Sequence, residues 1–345
     1  MKTRLLAFLF FAAHTLSAQI TFIPDSIFEE HLINLGYDNL HNGWVLTDSV
    51  SSIDTLIISG YPNFEISDLS GIEDFYNLQY LDCSNNNLDT LNLNYNQYLK
   101  HIVCEADSIE VLMIDSLFSL KILQCNSNNI TELILTGNPA IDSLECSNNK
   151  LTTLDLSNNI YLGYLFCGEN DLTNLDVSML DLYALRCQNN EINTIDLANN
   201  YSLEWLSCYN NNLQNINLND NPNLVVLNIG NVSSQPAAYS NNLNNLDISN
   251  NCNITTFYSK GNLNLECIQV CDTSVANNWN IQNIDAQHFF SIDCNYTSLD
   301  EVSFNKDDLI SIIDIYGREV NQNYKGVLFY IYRNGKVEKR ITLSK

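Results

Sequence analysis

Positive charge is scarce in this 345-residue chain, which has 15 lysine and arginine residues against 40 aspartate and glutamate residues. Five of the basic residues lie between residues 19 and 305, where 35 of the acidic ones are found. A nucleic acid or an anionic membrane is bound through a basic surface, because both carry dense negative charge. The composition therefore argues against both as partners of the central part of the chain.

The recurring motifs of catalysis are also missing. The sequence has no H-E-x-x-H, no G-x-S-x-G and no glycine-rich phosphate loop, and its five histidines are far apart in the chain. We expect a protein that is not an enzyme, without a cofactor, a catalytic site or a metal site. One column of aspartates could be read as a calcium site, but we favour a solvated face: Asp155, Asp176, Asp196 and Asp247.

Long apolar runs are absent after the first residues. A basic start, an apolar run from Leu5 to Ala13 and small residues ending at Ala18 are typical of a secretory signal peptide at residues 1–18. The run is too short for a membrane-spanning helix, which needs about 20 apolar residues. We expect cleavage after Ala18 and a protein without a transmembrane segment that leaves the cytoplasm.

The chain does have cysteines at a regular spacing. Seven cysteines follow one another at intervals of 20 or 21 residues: Cys83, Cys104, Cys125, Cys146, Cys167, Cys187 and Cys208. Aligned on them, residues 78–265 follow the pattern L-x-x-L-x-C-x-x-N-x-L-x-x-L-x-L-x-x-N-x-x. The L-x-C and L-x-L pieces alternate inward and outward with a period of two, so each predicts a short strand. Stacking buries their apolar sides, and the sequence therefore predicts a repeat solenoid with two short parallel strands per 21-residue coil.

This unit resembles the leucine-rich repeat in its 21-residue bacterial variety. The family has an asparagine ladder, and the matching positions are Asn86, Asn128, Asn149, Asn170, Asn190 and Asn211. Asp107 departs from the ladder, because an ionised aspartate has no donor to offer. We expect the seven cysteines to be small buried side chains of the core. Stacked Cβ atoms about 5 Å apart are too distant for disulfides, and the paired C-x-x-C spacing of a zinc site is absent.

Both ends of the repeat array need caps. Residues 19–77 are expected to form an N-terminal cap with irregular first repeats, and an apolar stripe predicts an amphipathic helix in it: Ile27, Phe28, Leu32 and Leu35. Residues 266–295 break the repeat and are similar to the closing cap of such proteins. Cys267 with Cys294 is the preferred disulfide there, which leaves Cys252 or Cys271 over. Because the total of eleven cysteines is odd, at least one thiol stays free.

The charge balance reverses at the C-terminal end. After a linker at residues 296–305, residues 306–345 hold eight basic and five acidic residues. Gly317 and the turn at residues 333–336 divide them into three strands of a small β domain. The "IYGREV" strand, the turn at Gly326 and the "NGKVEKR" ending resemble the C-terminal sorting domain of cargo of the type IX secretion system in Bacteroidota-type bacteria. The resemblance implies transfer across the outer membrane by that machinery, removal of the tail, and release or attachment to the cell surface.

In a leucine-rich repeat, the residues that flank the inward positions of the first strand line the concave face. The candidate binding residues there are Tyr80, His101, Tyr164, Phe166, Arg186, Trp205 and Tyr209. Exposed aromatic side chains with an arginine are typical of a binding hot spot. We expect a secreted, adhesin-like scaffold that binds a protein or a polysaccharide; a structural surface component or an accessory to a secreted enzyme is the alternative. The long loop around Pro236 is a second candidate site.

Overall fold

The computed structural model describes residues 19–60, 65–230, 241–274, 276, 279–294, 309–321, 324, 326–332 and 337–342. The chain divides into two units, residues 1–294 and residues 295–345. Four predicted features lie outside the described residues: the signal peptide at 1–18, the loop at 231–240, the linker at 296–305 and the turn at 333–336.

An N-terminal cap with a helix covers the first coil, as expected. Its elements are β1 (Ile20–Phe22), α1 (Ser26–Asn34), β2 (Trp44–Leu46) and α2 (Thr47–Val50), with β1 and β2 antiparallel. Asp25 begins the helix, because its carboxylate accepts hydrogen bonds from two backbone N–H groups of the first turn. The helix buries Phe28 and Leu32 against the core. Leu35 was expected on the same stripe, but it follows the last helical residue and is exposed.

One parallel sheet takes a strand from each coil of the solenoid. Its ten strands, in spatial order, are β3 (Thr55–Ile57), β4 (Tyr80–Asp82), β6 (His101–Val103), β8 (Ile122–Gln124), β9 (Ser143–Glu145), β10 (Tyr164–Phe166), β11 (Ala184–Arg186), β12 (Trp205–Ser207), β13 (Val226–Asn228) and β15 (Thr256–Tyr258). Equivalent repeat positions pair, so that Leu165 lies between Leu144 and Leu185. The parallel-strand solenoid predicted from the repeat is confirmed.

The second strand of the repeat is regular in part of the chain. It appears as β5 (Thr90–Asn92), β7 (Val111–Met113) and β14 (Leu246–Ile248), and β5 pairs with β7. In the closing coils, β14 pairs with β16 (Cys267–Val270), which in turn pairs with β17 (Phe289–Ser291). In the coils between, the corresponding leucines are buried without a regular strand. Neighbouring coils are joined there at the corner, where the N–H of Lys150 donates to the carbonyl of Ile130 over 2.9 Å. The prediction of two strands per coil thus holds completely for the first strand and partly for the second.

Each asparagine of the ladder closes a tight corner. It follows a residue in the left-handed region, and Asp107 does so too; φ lies between 51° and 58° at these preceding residues: Asn85, Ala106, Ser127, Asn148, Glu169, Asn189 and Asn210. Asn149 shows the pattern: its Nδ2 donates to the carbonyls of Cys125 and Cys146 over 3.0 and 3.1 Å, and its Oδ1 accepts from the N–H of Ile130 over 3.1 Å. One amide therefore satisfies buried backbone groups of two neighbouring coils.

The periodic cysteines form a column inside the solenoid. All seven are free thiols, and each is at most 1% exposed. Burial raises the pKa of the Cys146 and Cys187 thiols to about 12, so these groups stay protonated at neutral pH. In the last coils, Ile229 and Ser259 occupy the equivalent position.

Two disulfides lie at the C-terminal end of the repeats. Cys267 is bonded to Cys294, and Cys252 is bonded to Cys271. The second bond corrects the expectation that Cys252 or Cys271 is left over. The two residues are 19 positions apart, which is nearly one coil, so stacking brings their Cα atoms to 5.8 Å. Trp279 then covers the last coil and is buried.

The C-terminal unit is a small antiparallel sheet, as expected, but its first strand ends at Asp314, so the "IYGREV" segment at residues 315–320 is a turn and not the expected strand. Its strands are β18 (Leu309–Asp314), β19 (Gly326–Tyr332) and β20 (Val337–Thr342), with β19 in the middle. Leu328 and Tyr330 form its buried cluster. The Arg318 guanidinium donates to the Asp314 carboxylate over 2.6 Å and holds the pKa of that carboxyl below its usual range.

Candidate binding face

The outward side chains of the ten-stranded sheet form a surface that we call the sheet face. In β10, Tyr164 and Phe166 flank the buried Leu165, and in β12 Trp205 flanks the buried Leu206. Because side chains alternate along a strand and neighbouring strands are in register, equivalent positions of successive coils make columns across this face. The predicted binding residues belong to these columns and to the corner that follows them.

An arginine lies between two aromatic rings at the centre of the sheet face. The guanidinium carbon of Arg186 is 4.7 Å from the ring centroid of Phe166 and 4.6 Å from that of Trp205. Three successive strands supply these residues, and each such contact contributes about 0.5–2 kcal/mol. Among the ion pairs of the described residues, none involves Arg186.

Two tyrosines extend this cluster toward the N-terminal ends of β10 and β11. The rings of Tyr164 and Tyr183 are stacked with their centroids 5.8 Å apart, and both are nearly half exposed. Gly163 leaves the room that Tyr183 needs, because a Cβ atom at residue 163 would lie 2.9 Å from the Tyr183 ring. We call the five residues Tyr164, Phe166, Tyr183, Arg186 and Trp205 the aromatic cluster.

A hollow of about 500 Å³ opens beside Trp205. Its lining residues are Arg186, Gln188, Trp205, Ser207, Tyr209, Val226, Asn228, Thr256 and Tyr258. The amide oxygens of Gln188 and Asn228 are buried and accept no hydrogen bond within the described structure. Burial raises the pKa of the Tyr209 hydroxyl, which also hydrogen-bonds to Asn189. The hollow thus has aromatic and aliphatic walls, and the two unpaired amide oxygens are buried beneath its surface.

A polar network crosses the sheet face on the other side of the cluster. His101 Nε2 lies 3.0 Å from Gln124 Oε1, and Gln124 Nε2 donates to Glu145 Oε1 over 3.2 Å. The Nδ2 group of Asn126 donates both to Glu145 Oε2 and to Glu105 Oε1. Two carboxylates therefore share one neutral donor.

The predicted binding residues fall into two groups. Tyr164, Phe166, Arg186, Trp205 and Tyr209 come together around the cluster and the hollow. Tyr80 and His101 form a separate edge-to-face pair with centroids 4.8 Å apart. Three strand spacings separate β6 from β10, which is roughly 14 Å at about 4.8 Å per strand.

The residues of this region that sequence reasoning missed include Tyr183 of the cluster and five that line the hollow: Gln188, Val226, Asn228, Thr256 and Tyr258. Tyr183 precedes its strand and Gln188 follows the core cysteine, so the alternation of period two does not indicate where either side chain points. Tyr258 comes after the long loop, and it pairs with Asn228, which lies 30 positions earlier instead of the 21 positions of the regular repeat. Aligning "TFYS" with "VLNI" would have identified both Tyr258 and Asn228.

Within the described residues, a Ser-His-Asp grouping joins the closing cap to the last coil. Ser259 Oγ is 3.0 Å from His288 Nδ1, and Asp285 Oδ2 is 3.7 Å from His288 Nε2. Ser259 is completely buried at the position of a core cysteine, so a substrate cannot reach its hydroxyl. Burial lowers the pKa of His288. We assign this grouping a packing role.

The aspartate column accepts local hydrogen bonds. The carboxylates of Asp155, Asp176, Asp196 and Asp247 each accept from the backbone N–H two residues later. Within the described residues, no three His, Cys, Asp or Glu side chains are placed to hold a metal ion. In the same part of the chain, no helix has the length and apolar character that a membrane crossing requires.

Solved structures with this architecture include two from Listeria monocytogenes. The functional domain of InlJ, which includes a cysteine ladder, is 22% identical with a TM-score of 0.55, over 79% of this chain and 70% of that one. Internalin C2 is 23% identical with a TM-score of 0.54, over 60% of this chain and 96% of that one. The plant peptide hormone receptor RGFR1, solved in complex with RGF2, is 19% identical with a TM-score of 0.53, over 64% of this chain and 38% of that one.

These similarities show a shared fold at low sequence identity. No protein-family model and no curated protein matches the sequence. The repeats of the first unit form a leucine-rich-repeat solenoid.

Proposed function

We propose that this protein is an exported, non-catalytic leucine-rich-repeat scaffold that binds a protein or a polysaccharide through the sheet face. The aromatic cluster beside the hollow is the observation that carries this proposal. Trp205, Tyr164 and Tyr183 are 40–49% exposed, although each could bury a large apolar surface on a partner. Tryptophan, tyrosine and arginine are the residues that most often dominate binding energies.

The rigidity of the sheet supports the same function. Strands β9 to β13 pair in register, and the core leucines beneath them are buried, so the cluster is held in place before any partner arrives. A preorganised surface loses less conformational entropy on binding. RGFR1, which shares the fold, is a peptide hormone receptor, and this agrees with a protein partner for the present chain.

A double variant tests the role of the sheet face. The full chain and its Tyr164→Ala, Trp205→Ala variant are applied to protein and glycan arrays. Tyr161→Ala, Tyr201→Ala is the matched control, because these two exposed tyrosines lie at corners away from the sheet face. We expect the first variant to lose at least about tenfold in affinity and the control to bind as the unaltered chain does. Equal binding by all three would show that the partner uses another surface.

Export is proposed from the two ends of the chain. Residues 1–18 have the pattern of a secretory signal peptide, and residues 306–345 resemble a type IX secretion sorting domain. Deleting residues 306–345 should then trap the protein in the periplasm of a producing bacterium. The measurement is fractionation followed by immunodetection, and normal surface delivery of the truncated chain would contradict the sorting role.

A further inference from the structure

We infer that the partner is a basic protein segment, which places a lysine or arginine against Glu105 and Glu145 and an apolar side chain in the hollow beside Trp205. The inference depends on the proposed function of the sheet face and adds the chemical class of the ligand. It is supported by the charge of the repeat body, by the two carboxylates of the polar network and by the lining of the hollow.

The charge of the repeat body favours a basic partner. Residues 19–305 carry 35 acidic and five basic residues. The negative electrostatic potential of such a surface raises the association rate of positively charged partners and lowers that of negatively charged ones. An acidic polysaccharide could meet Arg186, but it would approach against the charge of the whole solenoid.

The polar network leaves negative charge on the sheet face. Glu105 and Glu145 accept from the Asn126 amide, which is neutral, and no ion pair of the described residues includes either carboxylate. Lys100 and Lys121 stand before their strands, at the end opposite to the corner where Glu105 lies, and Lys100 donates to Gln79. A cation from a partner would gain two carboxylate acceptors at this point.

The hollow suits an apolar side chain rather than a second cation. Val226, Thr256 and Tyr258 line it beside Trp205, and the positive charge of Arg186 lies at its edge. Three strand spacings separate Glu145 on β9 from Trp205 on β12, which is roughly 14 Å. An extended segment covers that distance in about four or five residues. The basic and the apolar side chain should therefore stand about that far apart in the partner sequence.

Selection from a random peptide library tests this inference. Phage displaying random dodecapeptides are panned on the full chain at physiological salt, and the selected peptides are synthesised and titrated. We expect a lysine or arginine about four or five positions from an aromatic or aliphatic residue. Affinity should fall about tenfold with Trp205→Ala and about tenfold with Glu105→Gln, Glu145→Gln. Glu110→Gln, Glu132→Gln is the matched charge control, since both residues are exposed away from the sheet face, and it should bind unchanged.

The outcomes separate this inference from the proposed function. Acidic or neutral selected peptides whose binding still requires Trp205 would overturn the basic partner and leave the sheet face as the binding surface. The same conclusion follows if a glycan array gives the only Trp205-dependent ligands. Peptides that bind the Trp205→Ala variant as tightly as the unaltered chain would overturn both. An equal loss in the Glu110→Gln, Glu132→Gln control would show a general charge effect and reject the contact with Glu105 and Glu145.

Discussion

Replacing Asp107 with asparagine is expected to stabilise the protein and to remove part of its pH dependence. Asp107 occupies the ladder position, and its Oδ1 accepts from the N–H of Asn86 over 2.9 Å. Its Oδ2 is buried without a hydrogen-bond partner. At the equivalent position of another repeat, the Nδ2 of Asn149 donates to the carbonyls of Cys125, in the preceding coil, and Cys146, in its own coil. Burial raises the pKa of Asp107 to about 7, and the backbone N–H groups of Asn86 and Leu88 oppose that rise.

The sign of the pH effect follows from where the proton is held. The unfolded chain releases it near pH 3.8, whereas the native state keeps it until about pH 7. The native state binds more protons between these values, so this group makes the free energy of unfolding fall as the pH rises from about 4 to about 7 and adds no further loss above that. The difference between the two pKa values corresponds to at most about 4 kcal/mol. Because the Asp107 residue as a whole is partly exposed, solvent screening reduces the expected loss to about 2 kcal/mol.

Guanidinium unfolding at pH 5 and pH 8 measures this effect. With its disulfides intact, Asp107→Asn should gain about 2 kcal/mol over the unaltered chain at pH 8 and clearly less at pH 5. The other groups titrate in the same way in both proteins. Their effect on the free energy of unfolding therefore cancels when the gain at pH 5 is subtracted from the gain at pH 8. The matched control Asn149→Asp introduces the same defect in another coil and should lose more stability at pH 8 than at pH 5. A gain that is the same at both pH values would refute this account of Asp107.

Three further changes address the corners and the cap. Asn149→Ala leaves buried backbone groups unpaired and should lower the free energy of unfolding by about 1–3 kcal/mol; an unchanged guanidinium midpoint would count against the ladder. Ala106 has a φ of 56°, and because asparagine tolerates the left-handed region better, Ala106→Asn should raise the free energy of unfolding by about 0.5–1 kcal/mol; a lower melting temperature would contradict this. Cys267→Ser with Cys294→Ser opens a loop with a sequence separation of 27 and should cost about 3 kcal/mol, which calorimetry would detect. Equal melting temperatures of that variant and the unaltered chain would argue against the bond.

The repeat and the core could be predicted from the sequence because each inward position has one physical role. A leucine two residues before a cysteine, repeated at nearly constant spacing, indicates both the strand and the side it buries. The second strand was less predictable. Its leucines, such as Leu154 and Leu175, are buried as the pattern requires, but burial alone does not decide whether the backbone pairs with its neighbours.

For the candidate site, the sequence predicts only which side chains point outward in neighbouring strands of the sheet face. The alternation along β10, β11 and β12 identified Phe166, Arg186 and Trp205 as neighbours, because parallel register fixes their relation. The position of Tyr183 depends on the space left by Gly163, which is a three-dimensional property. The bond between Cys252 and Cys271 was missed for a similar reason, since stacked coils bring together residues nearly one period apart outside the core column.

The central claim is that each first strand turns its leucine and the following cysteine inward and its aromatic and charged side chains outward. Counting reactive thiols with a chromogenic disulfide reagent, without a reductant, tests this most directly. We predict no reactive thiol in the native protein and seven after unfolding in concentrated guanidinium. A shift of one residue would move every side chain of a strand to the other face. Rapid reaction of the thiols in the native protein would therefore contradict the placement of Arg186 and Trp205 on the sheet face.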